Sequence, residues 1–318
     1  MFTNLNKLSV HEYYMNLALM QAKKSLGNTK DNPSVGCVIV KNKSLISSGN
    51  TSFNGRPHAE TNAISKCKVS VKNSTIYITL EPCSHFGKTP PCTNKIIKTK
   101  IKRVFFSVND PDRRSNKKSY KIFKKRKIQV KSGLLSKNIN KFYESYFLYK
   151  SNFLPFVTLK LAVSRDNMTI NKKKKWITNL YSRSRVHLLR SLHDCIITSS
   201  KTINIDNPLL DCRINGLKKT SPAIVILDKN LKIKKKSKII NNNKRKVILF
   251  YNSFNKKKIT FLKKKGIKTI KSSLDNEKNL DLKNILIKTK ALGFSRIFVE
   301  TGKVLSTSFL KNNLVNEF

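Results

Sequence analysis

The chain has 318 residues with 39% hydrophobic content, enough for about two domains with buried cores. It has no N-terminal apolar leader and no long apolar run, so neither a signal peptide nor a membrane span is expected. Its 66 basic residues against 17 acidic ones give a net charge of +49. Lysines fill nearly every polar segment, which reads as a chain-wide bias and not as the one-faced cluster of a specific nucleic-acid binder. Six scattered cysteines exclude a dense disulfide framework and fit a reducing cytoplasm.

In chain order, a helix is expected over 11–26, with Tyr14, Leu17, Ala18 and Gln21 on its inner face. Strands follow over 37–40 and 45–49, joined by a polar turn. A helix running to about residue 67 should hold His58 and Glu60 in its first turn. A strand over 75–79 leads to Cys83, and a helix over 93–99 follows Cys92. A strand over 103–108, a helix over 118–125, a strand over 128–130 and a helix over 139–149 continue the β-α-β alternation. Phe142, Tyr146 and Tyr149 of the last helix suggest a core stripe.

The chemistry concentrates between Pro57 and Cys92. Pro57-His58-Ala59-Glu60 is followed by Glu81-Pro82-Cys83 and by Pro90-Pro91-Cys92. One imidazole and two thiolates give three ligands for a catalytic zinc, which keeps a fourth position for water. A carboxylate two residues after the histidine suits the proton shuttle of a zinc-dependent base deaminase. The helix start at Cys92 should favour its thiolate. A purely structural zinc is the main competitor, but it would normally show a fourth Cys or His ligand and would leave Glu60 without a role.

A boundary is expected near 150–155, dividing the chain into residues 1–150 and 151–318. The α/β pattern then restarts with strands over 156–163 and 195–198 and a helix over 182–191 between them. Strands over 223–227 and 246–251, a helix over 282–292 and a strand over 296–300 follow, and Gly302 opens a helix over 304–310. The runs 172–175 and 232–236 read as loops, and 232–245 and 255–265 as low-complexity surface.

Through Cys92 the pattern Pro57-His58-Ala59-Glu60 with Glu81-Pro82-Cys83-Ser84-His85-x-Gly87-x-Thr89-Pro90-Pro91-Cys92 resembles the bifunctional deaminase–reductases of riboflavin biosynthesis. Base deaminases acting on nucleic acids use Pro-Cys-x-x-Cys, whereas here eight residues separate the two cysteines. The resemblance implies a cytidine-deaminase-like three-layer α/β/α domain followed by a dihydrofolate-reductase-like α/β domain. It implies that the first removes an amino group from a diaminopyrimidine ribosylamine phosphate, with Zn2+ on His58, Cys83 and Cys92 and Glu60 as shuttle. The second would use NADPH to reduce the ribosyl group to ribityl.

For that second domain the resemblance puts Ala162, Trp176, Thr202, Asp206 and Gly302 at the cofactor. It puts Lys174, Arg190, Leu210, Arg213 and Glu300 at the substrate. Arginine suits a phosphate because it can bind it bidentately, and a glycine opening a helix suits cofactor phosphates.

The chain departs from the family pattern at Thr51, where a histidine is common, and at Arg113 to Lys118, which replaces a glycine-containing loop. It departs again at residues 164–175, and it ends before further sheet-completing strands are expected. The expectation is therefore a sound deaminase and a reductase of marginal stability, acting on a small pyrimidine nucleotide without membrane or specific nucleic-acid partner, with room for a homo-oligomer. Rival expectations are a deaminase with a degenerate reductase domain, a nucleic-acid base deaminase, and a zinc-stabilised protein without turnover.

Overall fold

A computed structural model describes residues 8–166, 168, 177–241 and 244–318. They fall into two compact units, Met1–Ser151 and Asn152–Phe318.

The first unit opens with α1 (Val10–Lys23), capped by Ser9 and Glu12 in a reciprocal capping box. Its buried face is Tyr14, Met15, Ala18, Leu19 and Ala22. The expected face is thus rotated: Leu17 is only partly buried and Gln21 lies at the margin. β1 (Gly36–Lys41) and β2 (Ser44–Asn50) form a hairpin, and α2 (Ala59–Lys66), β3 (Thr75–Leu80) and α3 (Cys92–Lys98) follow. β4 (Arg103–Val108), α4 (Lys118–Lys125), β5 (Gln129–Ser132) and α5 (Ser136–Ser151) complete the unit. The sheet order is β2-β1-β3-β4-β5. The first two pairings are antiparallel and the last two parallel.

Every residue of β3 and nearly every residue of β1 is buried, so both faces of the sheet are covered. Helix and sheet approach closely where glycine allows it. A Cβ on Gly49 would lie 2.5 Å from the Ala59 carbonyl oxygen and 2.5 Å from the Ala63 nitrogen. The missing side chain lets the first turns of α2 press on β2, which fixes where His58 and Glu60 stand. On α5 the core stripe is Ile139, Tyr143 and Tyr146; Phe142 and Tyr149 are only half-buried.

The second unit contains β6 (Phe156–Lys160), α6 (Leu180–Ser191), β7 (Cys195–Ser199), α7 (Ser200–Asp206) and β8 (Ala223–Leu227). It continues with α8 (Lys238–Asn241), β9 (Val247–Tyr251), α9 (Lys256–Lys264), β10 (Lys268–Lys271), α10 (Leu282–Ala291), β11 (Arg296–Glu300) and α11 (Lys303–Lys311). All pairings in the sheet β10-β9-β8-β7-β11-β6 are parallel. Alternate strand residues enter two different cores. Ile197, Val225, Phe250 and Val299 pack with Ile285 and Leu286 of α10, whereas Ile196, Ile224, Leu249 and Phe298 pack with Ile203, Ile240 and Leu262 of α7, α8 and α9. Helices therefore cover both faces, as continuous apolar strands require.

The segment 255–265 corrects the low-complexity surface expectation. It is α9, capped by Asn255, with Ile259 and Leu262 buried between its lysines. The first strand ends at Lys160, earlier than its apolar run suggests. Its outer edge is partly covered: Thr158 bridges Glu317 in parallel, and the Leu159 N–H donates to the Glu317 carbonyl at 2.8 Å.

One buried histidine gives this unit a pH response. His193 is 1% exposed. Nδ1 lies 2.6 Å from the Leu189 carbonyl oxygen and Nε2 2.9 Å from Thr158 Oγ1. Nδ1 donates to that carbonyl, while Thr158 Oγ1, which also lies 3.0 Å from Glu317 Oε2, has a single proton for its two neighbours. Burial, helped by the Arg296 charge, lowers its pKa to about 3. The unfolded ring takes its proton near pH 6.5. Between those values the unfolded chain binds more protons, so stability falls as pH drops below about 6.5 and is fully present above it. Chemical denaturation at pH 7 and pH 5 should show a loss approaching about 1 kcal/mol per unit. His193→Gln should flatten that slope, and an unchanged slope would remove His193 as its source.

Candidate functional site

β3 ends at Leu80, and the chain turns through Glu81-Pro82 to Cys83. Cys92 opens α3, and His58 is the N-cap of α2, one residue outside the helix turn expected to hold it. Three separate elements thus bring one side chain each to a single point. His58 Nδ1 lies 3.6 Å from Cys83 Sγ and 3.4 Å from Cys92 Sγ. All three candidate ligand atoms lie within 4.8 Å of one another. A tetrahedral zinc with Zn–S of about 2.3 Å and Zn–N of about 2.0 Å would set N and S about 3.5 Å apart, so the two measured N–S separations fit such an ion. The Cys92 N–H donates to Cys83 Sγ at 3.3 Å, which steadies the thiolate. His58 Nε2 is buried and finds no hydrogen-bond partner among the described residues.

Titration is distributed unevenly over the cluster. The hydrogen bond with Cys92, against opposing burial and with help from His58, draws the Cys83 thiol down to about 4. The same bond and burial push the Cys92 thiol up. At Cys92 burial and the bond with Cys83 thus oppose the thiolate that the helix start favours. Glu60 lies in the first turn of α2 at 3% exposure. Burial pushes its carboxyl up, and the neighbouring His58 partly offsets this. A raised proton affinity of this kind suits a general acid–base.

The unit's other departures from pattern have structural work. Thr51 is buried, accepts from the Val35 N–H at 2.9 Å and donates to the Pro33 carbonyl at 3.0 Å. The basic segment after Asp110-Pro111 forms a closed loop leading into α4.

In the second unit four of the expected residues, Ala162, Thr202, Glu300 and Gly302, lie at the carboxyl ends of three adjacent parallel strands, β7, β11 and β6, whereas Leu210 and Arg213 lie in the loop between α7 and β8. Ala162 follows β6, Thr202 lies in α7 directly after β7, and Glu300 ends β11 with Gly302 as N-cap of α11. Ligands of parallel α/β sheets bind at this edge. Thr202 Oγ1 stands 3.0 Å from Ser199 Oγ and 3.4 Å from Thr301 Oγ1. Asp206 closes α7, and burial pushes its carboxyl up. Leu210 is 4% exposed with φ of 53°, and Arg245 Nη1 donates to its carbonyl at 2.9 Å. Arg213 is exposed, 3.5 Å from Asp211. Lys174 and Trp176 lie outside the described residues.

Arg190 and Glu300 meet directly. Arg190 Nε and Nη2 donate to the two carboxylate oxygens at 2.9 and 2.8 Å, and Nη1 donates to the Asp211 carbonyl at 2.8 Å. The arginine is thus engaged with the protein through all three of its nitrogens. Ser199 and Thr301 join the expected residues where the ends of β7 and β11 lie side by side, and Asp211 joins through its carbonyl on Arg190; none carried a motif signal.

Two family models match the chain. A family model described as the cytidine and deoxycytidylate deaminase zinc-binding region matches residues 8–108, and one described as the RibD C-terminal domain matches residues 155–318. The riboflavin biosynthesis protein RibD of Aquifex aeolicus is 36% identical over 95% of this chain and 83% of its own length. That of Buchnera aphidicola is 36% identical over 96% of this chain and 84% of its own length. The solved structure of Acinetobacter baumannii RibD, form 1, superposes with a TM-score of 0.84 at 31% identity, covering 96% of this chain and 84% of that one. A deaminase/reductase structure from Thermotoga maritima gives 0.82 at 30% identity, covering 95% and 84%. Among the described residues no helix is long and apolar enough to cross a membrane. A zinc-binding deaminase unit and a reductase unit acting on a small molecule imply Zn2+ and NADPH as cofactors. The chain belongs to the RibD family of riboflavin-biosynthesis deaminase–reductases.

Proposed function

We propose that the chain hydrolytically deaminates 2,5-diamino-6-(5-phosphoribosylamino)pyrimidin-4-one and then reduces the ribosyl side chain with NADPH, giving 5-amino-6-(5-phosphoribitylamino)uracil. The observation that carries the first step is the convergence of His58, Cys83 and Cys92 beside the buried Glu60. In this reading the three side chains hold zinc, which supplies a Lewis acid that activates water at neutral pH. Glu60 carries the proton between the attacking water and the leaving amine. Its desolvated position raises its proton affinity, which helps it take the proton from water.

For the second step, Ala162, Thr202, Asp206 and Gly302 line the cofactor side, and the sequence resemblance alone adds Trp176. The start of α11 at Gly302 suits cofactor phosphates. Leu210, Arg213 and Glu300 face the substrate, Arg213 being the arginine available for its phosphate; Lys174 is given to the substrate by the sequence resemblance alone. Arg190 acts there through Glu300, to which it is bonded. Residues 1–150 would house the first reaction and 151–318 the second. All six cysteines are unpaired, which favours a reducing cytoplasm.

Ammonia release should be measured with the free diaminopyrimidine nucleotide and with cytosine- or adenine-bearing oligonucleotides. Release from the free nucleotide alone is expected. Release from oligonucleotides alone would replace this reading with a nucleic-acid base deaminase.

A further inference from the structure

Glu81 and His85 stand two residues on either side of Cys83, and both are bonded to the same distant loop. Glu81 is 3% exposed. Its carboxylate accepts the N–H groups of Asp110 at 3.3 Å, Lys117 at 2.9 Å and Ser119 at 3.1 Å, and the Ser119 hydroxyl at 2.8 Å. On the other side, His85 Nδ1 lies 2.9 Å from Oγ of the fully buried Ser115. The helix after the loop lacks a cap of its own: Lys117 at the N-cap of α4 is left-handed at φ of 56° and makes no side-chain cap bond. The Glu81 carboxylate takes over that task and sets a negative charge at the helix start.

Topology places the loop at the metal centre. β3 and β4 are parallel, and Leu80 pairs with Val108. Cys83 and Asp110 therefore leave the same carboxyl edge of the sheet, where ligands of such sheets bind. Asp110 is tied down by Tyr146 at 3.0 Å and Asp112 by Arg114, leaving residues 110–119 held at both ends and in the middle. Both Glu81 oxygens are occupied by donors from this one loop, so the carboxylate is committed to holding it and not to carrying protons.

We infer that Glu81 and His85 are positioning residues that hold residues 110–119 as a substrate-binding wall beside the deaminase centre. They act on substrate affinity through the loop, and not on the metal or on proton transfer. The inference rests on the deaminase reading above and names further residues serving it.

The test uses the full chain, zinc-loaded and carrying Glu60→Gln so that bound substrate is not consumed. Binding of the diaminopyrimidine nucleotide is measured by calorimetry and zinc by elemental analysis. Adding Ser115→Ala removes the partner of His85 at little cost to folding and should weaken binding about tenfold, the scale of one lost hydrogen bond. Adding Glu81→Gln should weaken it further, because an amide nitrogen cannot accept the N–H groups now held. Zinc should stay near one per chain in both. Unchanged affinity in Ser115→Ala, or loss of zinc in parallel with affinity in Glu81→Gln, would overturn the inference. Failure of the deaminase reading is separate: it would appear as no ammonia from the wild-type chain, whatever the two loop variants bind.

Discussion

Glu60→Gln is expected to cut ammonia release by about a thousandfold while zinc content stays near one per chain. General acid–base groups contribute roughly 10²- to 10⁴-fold, and Glu60 would serve both proton transfers. Glutamine matches its shape, so the first turn of α2 and its packing on β2 should survive. The amide cannot exchange a proton with water or amine. The proposed metal ligands are other residues, His58, Cys83 and Cys92, so metal binding should be untouched. Reduction of substrate supplied already deaminated should continue at the wild-type rate. Ammonia release at a normal rate would remove Glu60 from the mechanism; loss of zinc would show that its role is to build the site.

The second large effect is expected at Arg190. Its side chain is 10% exposed and that of Glu300 16%. Arg190→Met would leave the Glu300 carboxylate inside the protein without its partner, a change that typically costs about 3–5 kcal/mol. With this exposure the lower end, about 3 kcal/mol, is expected for the second unit, read as a shift in denaturant midpoint. Arg190→Met with Glu300→Gln should recover much of that loss, because the unpaired charge is gone. Reduction should stay impaired in the double variant, since Glu300 is assigned to the substrate. A single variant as stable as the wild type would mean that the pair does not brace α6 to β11.

Local pattern carried much of this architecture. Continuous apolar runs marked β7, β8, β9 and β11 because those strands are buried on both faces. The metal cluster was legible because His58, Cys83 and Cys92 are rare residue types in a diagnostic order with Glu60. The helix faces were only partly so: Tyr14, Ala18 and Tyr146 are buried as periodicity suggested, but Met15, Leu19 and Tyr143 turn inward in place of Leu17, Gln21, Phe142 and Tyr149, since tertiary packing decides which neighbour of an apolar pair is buried. α9 was hidden because its lysines mask a two-residue apolar stripe, Ile259 and Leu262.

Long-range polar bonds left no local trace. Nothing near Glu81 signals that its carboxylate gathers N–H groups 29 to 38 residues away. Likewise, Arg190 matched a substrate position, yet its bond to Glu300 spans 110 residues and emerges only when α6 lies beside β11.

The central claim is that one chain performs both reactions, and a single tube can test it. Zinc-loaded protein is mixed with the diaminopyrimidine ribosylamine phosphate and NADPH, and ammonia and NADPH are followed together. The account predicts ammonia release followed by NADPH oxidation of matching amount. Ammonia with NADPH untouched would contradict it, reducing the chain to a deaminase joined to an inactive reductase fold.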